Sequence, residues 1–419
     1  MVTIFSSVAA LLVGMAIMSV GNGLLGTLLP LRLAQAGGTA LTVGVVMAGY
    51  FLGLVLGVFT GYRLIIRVGH IRAFTAFMAL FAATVLSHPF FIDGLFGFVL
   101  RVVQGICLAG LFMCAESWLN ERAANEHRGQ VFSLYMVVLY LGIVGGQLLL
   151  ILPDPSGYGH YALTAILISL AAIPVAVSQI TPPPIPQPSQ FGIAALYAIS
   201  PLSVVGCCAA GLILGAFYAL APYYTFRIGM DTAETAQFMA SALFGGLLLQ
   251  WPIGKLSDRF DRRSVIVGLG AAILVTGALF VTLSIWSAFS LIVVAPLLGG
   301  VIFTLYPLCV AHANDHVARV DLMPTSAGLL MAYGVGAIAG PLVASGVMSL
   351  TGPLGLFGYI AFMGLLTALY AIWRQGQRAA PPLEKQSDFQ MVPRTTPIAM
   401  GLDPRIDAPA EIEHTDINK

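Results

Sequence analysis

The sequence predicts an all-α, polytopic membrane protein of twelve transmembrane helices, arranged as two six-helix, pseudo-symmetric halves. Three observations carry this expectation. Hydrophobic residues make up 58% of the 419-residue chain, the mean hydropathy is +0.92 and only 9% of residues are charged, well outside the range of soluble domains. The apolar residues fall into twelve runs, each near the roughly 20 residues needed to cross a bilayer. The basic residues are segregated into alternate loops, which is how orientation in a membrane is encoded.

The runs are 7–29, 41–61, 73–92, 95–118, 130–152, 159–180, 202–223, 234–253, 264–285, 287–310, 326–350 and 353–373. Runs of this length are helical, because a membrane barrel would show short alternating segments instead. The first is too long for a signal peptide and lacks a basic leader, so it counts as a span. Loops after even-numbered spans hold Arg63, Arg67, Arg72, Arg122, Arg128, Lys255, Arg259, Arg262, Arg263 and Arg319. The opposite loops hold only Arg32 and Arg227. Ten against two places the N and C termini in the cytoplasm. The formal charge of +1 gives no basis for binding nucleic acid. Cys107, Cys114, Cys207, Cys208 and Cys309 all lie in apolar runs and read as small buried hydrophobes rather than disulfide partners.

The chain divides at its punctuation. Residues 1–180 form the first half and 202–374 the second. Between them, 181–201 is a proline-rich linker whose run Thr181-Pro182-Pro183-Pro184-Ile185-Pro186-Gln187-Pro188 favours stiff polyproline geometry. From 375 to 419 the chain turns polar and holds seven of the eighteen acids, the composition of a disordered tail. The halves read as copies. Pro30 and Pro222 lie 192 residues apart, Gly61 and Gly254 193, Gly105 and Gly299 194, and the Gly142/Gly146 pair precedes Gly336/Gly340 by 194.

Most of the chemistry is concentrated in a few polar residues. Arg101 stands about seven residues inside its span, and an intramembrane guanidinium is functional by default. Gln104 follows at i+3, on the same helix face. Asn22, Tyr140, Gln147 and Tyr218 fall at comparable depth, although for any single Asn or Tyr interhelical hydrogen bonding is the more common use. Gly49, Gly53, Gly57 and Gly61 make an i+4 stripe on span two, for which Gly336 and Gly340 of span eleven offer a partner stripe. No phosphate-cradling Gly-x-x-x-x-Gly-Lys-[Ser/Thr] loop and no His or Cys pairs at metal spacing occur. No carboxylate or His lies at mid-membrane depth, and His312 closes span ten, so the coupling ion stays open.

The stretch Gly254-Lys255-Leu256-Ser257-Asp258-Arg259-Phe260-Asp261-Arg262-Arg263 sets four bases and two acids between apolar runs, so it reads as a short surface loop. It resembles the signature loop of the major facilitator superfamily, Gly-x-Leu-x-Asp-Arg-x-Gly-Arg-Arg, with Asp261 at the usual Gly. Arg101-Val102-Val103-Gln104-Gly105 is similar to that superfamily's Arg-x-x-x-Gly motif. The first-half copy, Gly61 to His70, has no acid. Leu28 to Gln35, Gln250 to Gly254 and Phe303 to Pro307 resemble its bacterial YcaD-like branch.

The resemblance implies a secondary transporter of the bacterial inner membrane, working by alternating access as a monomer, with no cofactor and no enzymatic activity. It implies a cavity lined by spans one, four, seven and ten, hence Asn22, Arg101, Gln104, Tyr218 and, at the inner end, Tyr306 as ligand or coupling residues. It also implies a cytoplasmic gate in which Glu116, Arg128, Asp258 and Arg259 pair ionically and cap helices. An apolar cavity with one fixed cation suits a small amphiphile or organic anion better than a sugar. Leu141 to Gln147 is similar to the family's antiporter motif but lacks its Pro, so efflux is favoured only slightly over uptake, and proton coupling stays open. A non-transporting sensor or assembly protein on the same fold is the alternative.

Overall fold

The structure is a computed structural model that describes residues 2–90, 94–122, 128–154, 157–177, 192–283, 287–318, 321–377 and 386–402. The polyproline run 182–188, Arg319 and the last residues, 403–419, lie outside the described residues.

The long apolar runs fold as helices because no water within a bilayer could satisfy their backbone groups. In chain order these are α1 (Val2–Gln35), α2 (Ala40–Val68), α3 (His70–Ser87), α4 (Gly94–Arg122), α5 (Arg128–Leu148), α6 (Gly159–Ala176), the short α7 (Ile193–Ile199), α8 (Pro201–Arg227), α9 (Thr232–Arg259), α10 (Arg262–Leu283), α11 (Ala288–Asn314), α12 (Leu322–Thr351) and α13 (Gly355–Gln375). Among the described residues, eleven of these are long and apolar enough to cross a membrane. The remaining long helix, α9, is diluted by Glu234 and by Lys255, Asp258 and Arg259 at its ends. Its start is fixed by a capping box in which Asp231 accepts from the Glu234 N–H and Glu234 accepts from the Asp231 N–H, satisfying donors that have no partner within the helix.

Two boundaries differ from the expectation. The charged stretch is not all loop: Gly254 to Arg259 continue α9, and only Phe260 and Asp261 break the chain before α10. Lys255 lies 4.1 Å over the Trp251 ring, one turn back, so this end of the helix carries its charge while keeping its backbone bonds. The copy at Gly61 to His70 is likewise helical to Val68, and Gly69, at φ 85°, makes the turn into α3, a backbone angle that suits glycine. The linker is also less uniform than expected, since 193–199 is helical.

The helices pack in a repeated pattern. α2 lies on α4, α1 on α5 and α3 on α6, and in the same order α9 lies on α11, α8 on α12 and α10 on α13. Glycine sets the closest of these contacts, but with partners other than those expected. The stripe Gly49, Gly53, Gly57, Gly61 faces α4, where a Cβ on Gly53 would overlap the Val102 carbonyl and one on Gly105 the Tyr50 carbonyl. Gly336 and Gly340 face Cys208 and Leu212 of α8, and Gly142 and Gly146 face Ser19 and Val20 of α1. The two stripes are therefore each spent on another helix, and α2 meets α12 off its stripe, through Gly44 against Ser345 and Pro341. Without a hydrophobic drive between helices in lipid, this backbone proximity supplies much of the packing. Gly53→Val is expected to lower thermal stability in detergent by about 1–3 kcal/mol or more. Gly145→Ala, where a Cβ meets nothing within 4 Å, is the control that should leave the melting temperature unchanged.

The two helix sets touch directly at the end where α2 starts and α12 finishes. At the opposite end, the basic end, where α4 finishes, α5 starts and the chain turns from α9 into α10, residues 386–402 lie between them. For residues 386–402 this differs from the expectation of a disordered tail over 375–419. Val392, Thr396, Ala399 and Met400 are buried, and a 3₁₀ turn at Pro397–Leu402 packs on α4, α5 and α12. The tail holds enough apolar residues at 391–392 and 398–400 to fill the gap, which its overall polarity conceals.

Candidate functional site

A cavity of about 160 Å³ lies between the helix sets. Its walls come from α1 (Ser19, Asn22), α2 (Tyr50), α4 (Arg101), α5 (Tyr140, Gln147), α8 (Tyr218) and α12 (Tyr333), and one side is closed by Pro393, Arg394 and Thr395 of the C-terminal segment. Asn22, Arg101 and Tyr218 are thus brought together as the sequence suggested.

Gln104 and Tyr306 are not cavity residues. Gln104 is fully buried behind Arg101, with its Oε1 accepting from Arg101 Nη1 at 3.1 Å and its Nε2 lying 3.1 Å from His88 Nε2. It therefore orients the arginine, and its i+3 placement gives it that reach. The Arg101 guanidinium sits 4.4 Å over the centre of the Tyr50 ring, a cation–π contact in place of a counter-ion. Tyr306 is buried behind Tyr333, with the rings 5.1 Å apart. α11 reaches the cavity region through Phe303 instead, which touches Tyr140 and Tyr218 edge-on.

Among the lining positions that sequence reasoning did not single out, Tyr50, Tyr333 and Arg394 escaped it for two different reasons. Tyr50 and Tyr333 lie in glycine-rich spans where nothing marks them except the small residues that leave room for a ring. Arg394 lies in the tail. Its Nη2 donates to Tyr140 Oη at 3.1 Å and its guanidinium lies 5.0 Å from the Phe303 ring centre. Tyr140 Oη also accepts from Gln250 Nε2 at 2.8 Å, which ties α5 to α9. The sequence signal for Arg394 is a lone base between Met391-Val392-Pro393 and Thr395-Thr396-Pro397-Ile398.

The basic end holds the expected gate residues, but not as the expected ionic cluster. Glu116 is fully buried and accepts from Tyr135 Oη at 3.1 Å and from the hydroxyls of Thr395 and Thr396. Arg128 reaches the Gly401 carbonyl and Arg259 is exposed. Asp258 accepts from Arg262 at 3.1 Å and from the Phe389 N–H at 2.9 Å. The two acids of the expected cluster are thus engaged by Tyr135, Arg262 and the tail. The tail bonds to both acids, through the Thr395 and Thr396 hydroxyls and the Phe389 N–H.

Arg262 is the hub of this end. It is 1% exposed, donates to both Asp315 carboxylate oxygens at 2.6 Å and to the Ala311 carbonyl at 3.0 Å, and meets the Ser387 carbonyl. Burial pushes the Asp315 carboxyl up, against the opposing pull of Arg262 and Ser387. Asp261, which stands where the resemblance expects Gly, caps α10, accepting from the Arg263 N–H at 3.0 Å and from its guanidinium at 2.8 Å. Burial opposes ionisation there, but the Arg263 bonds outweigh it and hold the carboxyl below the usual range.

The family model described as "Major Facilitator Superfamily" matches residues 11–323 and 243–402. The chain belongs to the major facilitator superfamily. A curated relative from Salmonella arizonae, named "Uncharacterized MFS-type transporter YcaD", is 31% identical over 352 residues, covering 79% of this chain and 86% of that protein. A second, from Salmonella newport, is 30% identical over 343 residues with the same coverage. Among solved structures, a point mutant of the nucleoside transporter NupG aligns with a TM-score of 0.70 at 13% identity, covering 87% of this chain and 99% of that one. A D-xylose-proton symporter aligns at 0.68 and 13%, covering 92% and 99%. These likenesses establish the superfamily fold and a multi-pass membrane protein of a transporter family. In this member the signature-like stretch is a helix end held by Arg262, and a C-terminal segment is part of the cavity wall.

Proposed function

We propose that this chain is a secondary transporter that moves a small amphiphile, organic anions favoured, across a bacterial inner membrane by alternating access. The observation that carries the reading is the cavity of about 160 Å³ between the two helix sets, walled by phenols and by the buried Arg101. Its size is close to the roughly 150 Å³ of a cavity known to accept benzene. No carboxylate lines it among the described residues, so an anion meets attraction without repulsion. The repeated helix pairing supports two six-helix halves that rock about this site, and the basic-loop bias supports twelve spans with both termini cytoplasmic. Relatives named as transporters and neighbours that carry nucleosides or xylose support transport in general and leave the cargo to the site.

Reconstituted vesicles with a solute panel, read by radiolabel uptake and by internal pH, test the proposal. Flux of an organic anion is the expected result. An absence of flux for every solute by correctly folded protein would instead favour a non-transporting sensor. The basic end is read as the cytoplasmic gate, made of Glu116, Arg128, Asp258 and Arg259, with the tail docked on the first three. Asp258→Asn keeps an acceptor for Phe389 but removes the charge facing Arg262. It is expected to slow flux several-fold with unchanged membrane yield, and flux equal to wild type would remove Asp258 from the gate.

A further inference from the structure

We infer that the C-terminal segment is part of the ligand site, with Arg394 supplying a second cation beside Arg101 for a small organic dianion. The inference rests on the transporter reading and names its substrate class. It begins with charge. Arg101 and Arg394 line one cavity, and among the described residues neither meets a carboxylate. A guanidinium has five N–H donors, yet the hydrogen bond found for Arg101 goes to Gln104 and that for Arg394 to Tyr140, both neutral. Arg394 Nη1 is buried with no acceptor. Two under-satisfied cations in a largely apolar enclosure are unfavourable by themselves, and a ligand bearing two negative charges removes the imbalance.

Arg394 is placed rather than merely present. The chain before it is tied by the Ser387 N–H to Asp315 at 3.1 Å and by the Phe389 N–H to Asp258 at 2.9 Å. The chain after it is tied by Thr395 and Thr396 to Glu116, and by Asn120 Nδ2 donating to the Ile398 carbonyl at 2.7 Å. The Phe389 ring fills the space over Gly254, where a Cβ would overlap it. These anchors come from both helix sets, so the segment bridges them and holds the guanidinium on a fixed wall. By comparison with benzene, a cavity of this volume encloses a ligand core of roughly six non-hydrogen atoms, with charged ends meeting the guanidinium groups that line it. Its walls, Tyr50, Tyr140, Tyr218, Tyr333 and Phe51, favour an apolar or aromatic middle with the charges at its ends.

The test uses the full chain in lipid nanodiscs, titrated with isophthalate and glutarate as dianions, benzoate as a monoanion and benzylamine as a cation. Isophthalate or glutarate is expected to bind at least about tenfold more tightly than benzoate, and benzylamine not at all. Arg394→Gln should weaken the dianion roughly tenfold while changing benzoate much less, and Arg394→Lys should recover part of the loss. Thermal melting of both variants without ligand reports whether the tail still docks. Equal binding of dianion and monoanion, or unchanged dianion affinity in a folded Arg394→Gln protein, overturns the inference. Tighter binding or faster flux in Arg394→Gln also overturns it, since the segment is then an obstruction rather than a wall. Each of these failures leaves flux of other solutes intact, whereas loss of the transporter reading shows as no flux of any solute.

Discussion

Arg262→Ala is expected to unfold the basic end and to lower stability by about 3–5 kcal/mol, the usual consequence of removing one member of a buried ion pair. The guanidinium is 1% exposed and the Asp315 carboxylate equally covered, with both oxygens at 2.6 Å. Without Arg262, Asp315 remains buried with its charge unmatched, and Asp258 and the Ser387 carbonyl lose the donor that joins them. The effect should therefore exceed that of Asp258→Asn, because Asp258 is partly exposed and retains the Phe389 bond. A paired replacement, Arg262→Met with Asp315→Leu, should recover most of the loss, since apolar pairs of similar volume often match buried ion pairs. Melting in detergent gives the energies. Cross-linking of Asn120→Cys to Ile398→Cys, at positions joined in the wild type by a 2.7 Å hydrogen bond, reports whether the tail is still docked. A single variant as stable and as readily cross-linked as wild type would show that Arg262 does not organise this end.

The second large effect is at Arg101. Arg101→Gln is expected to reduce anion affinity by a factor of roughly 10–100, as loss of a charge-assisted contact of about 1.5–3 kcal/mol implies. The fold should survive, because among the described residues Arg101 makes no ion pair and its removal relieves a buried charge. Gln104→Leu separates orientation from charge. It leaves the guanidinium in place and removes its 3.1 Å partner, so affinity should fall less, with a looser preference among ligands of similar charge. Equilibrium binding for both variants, alongside unliganded melting, checks this. Equal losses in the two would mean that Arg101 is a packing residue and the cavity does not use its charge.

Both predictions depend on how residues distant in sequence are brought together. The helices themselves needed nothing beyond the sequence. Runs of about 20 apolar residues have one stable form in lipid, because this is a property of short segments and their solvent. Arg101 and Asn22 could be singled out in the same way, since a polar group at mid-span is expensive wherever it faces. The i+3 relation of Gln104 to Arg101 was equally visible, although whether Gln104 faces ligand or supports the arginine was not.

What the tertiary structure decided is which surfaces meet. A glycine stripe on α2 suits any partner helix, and only packing assigns it to α4 rather than α12. The acids and bases near Asp258 allow many ionic pairings, and the pairs that form are those left once the tail has taken Glu116 and Asp258. The tail reads as disordered because its mean polarity is high, whereas docking depends on a few apolar residues meeting a gap that exists only in the assembled bundle. Arg394 became a cavity residue by that route. Helices are local consequences of solvent and chain, while the cavity and the charge within it depend on contacts between segments up to about 280 residues apart, which no local pattern encodes.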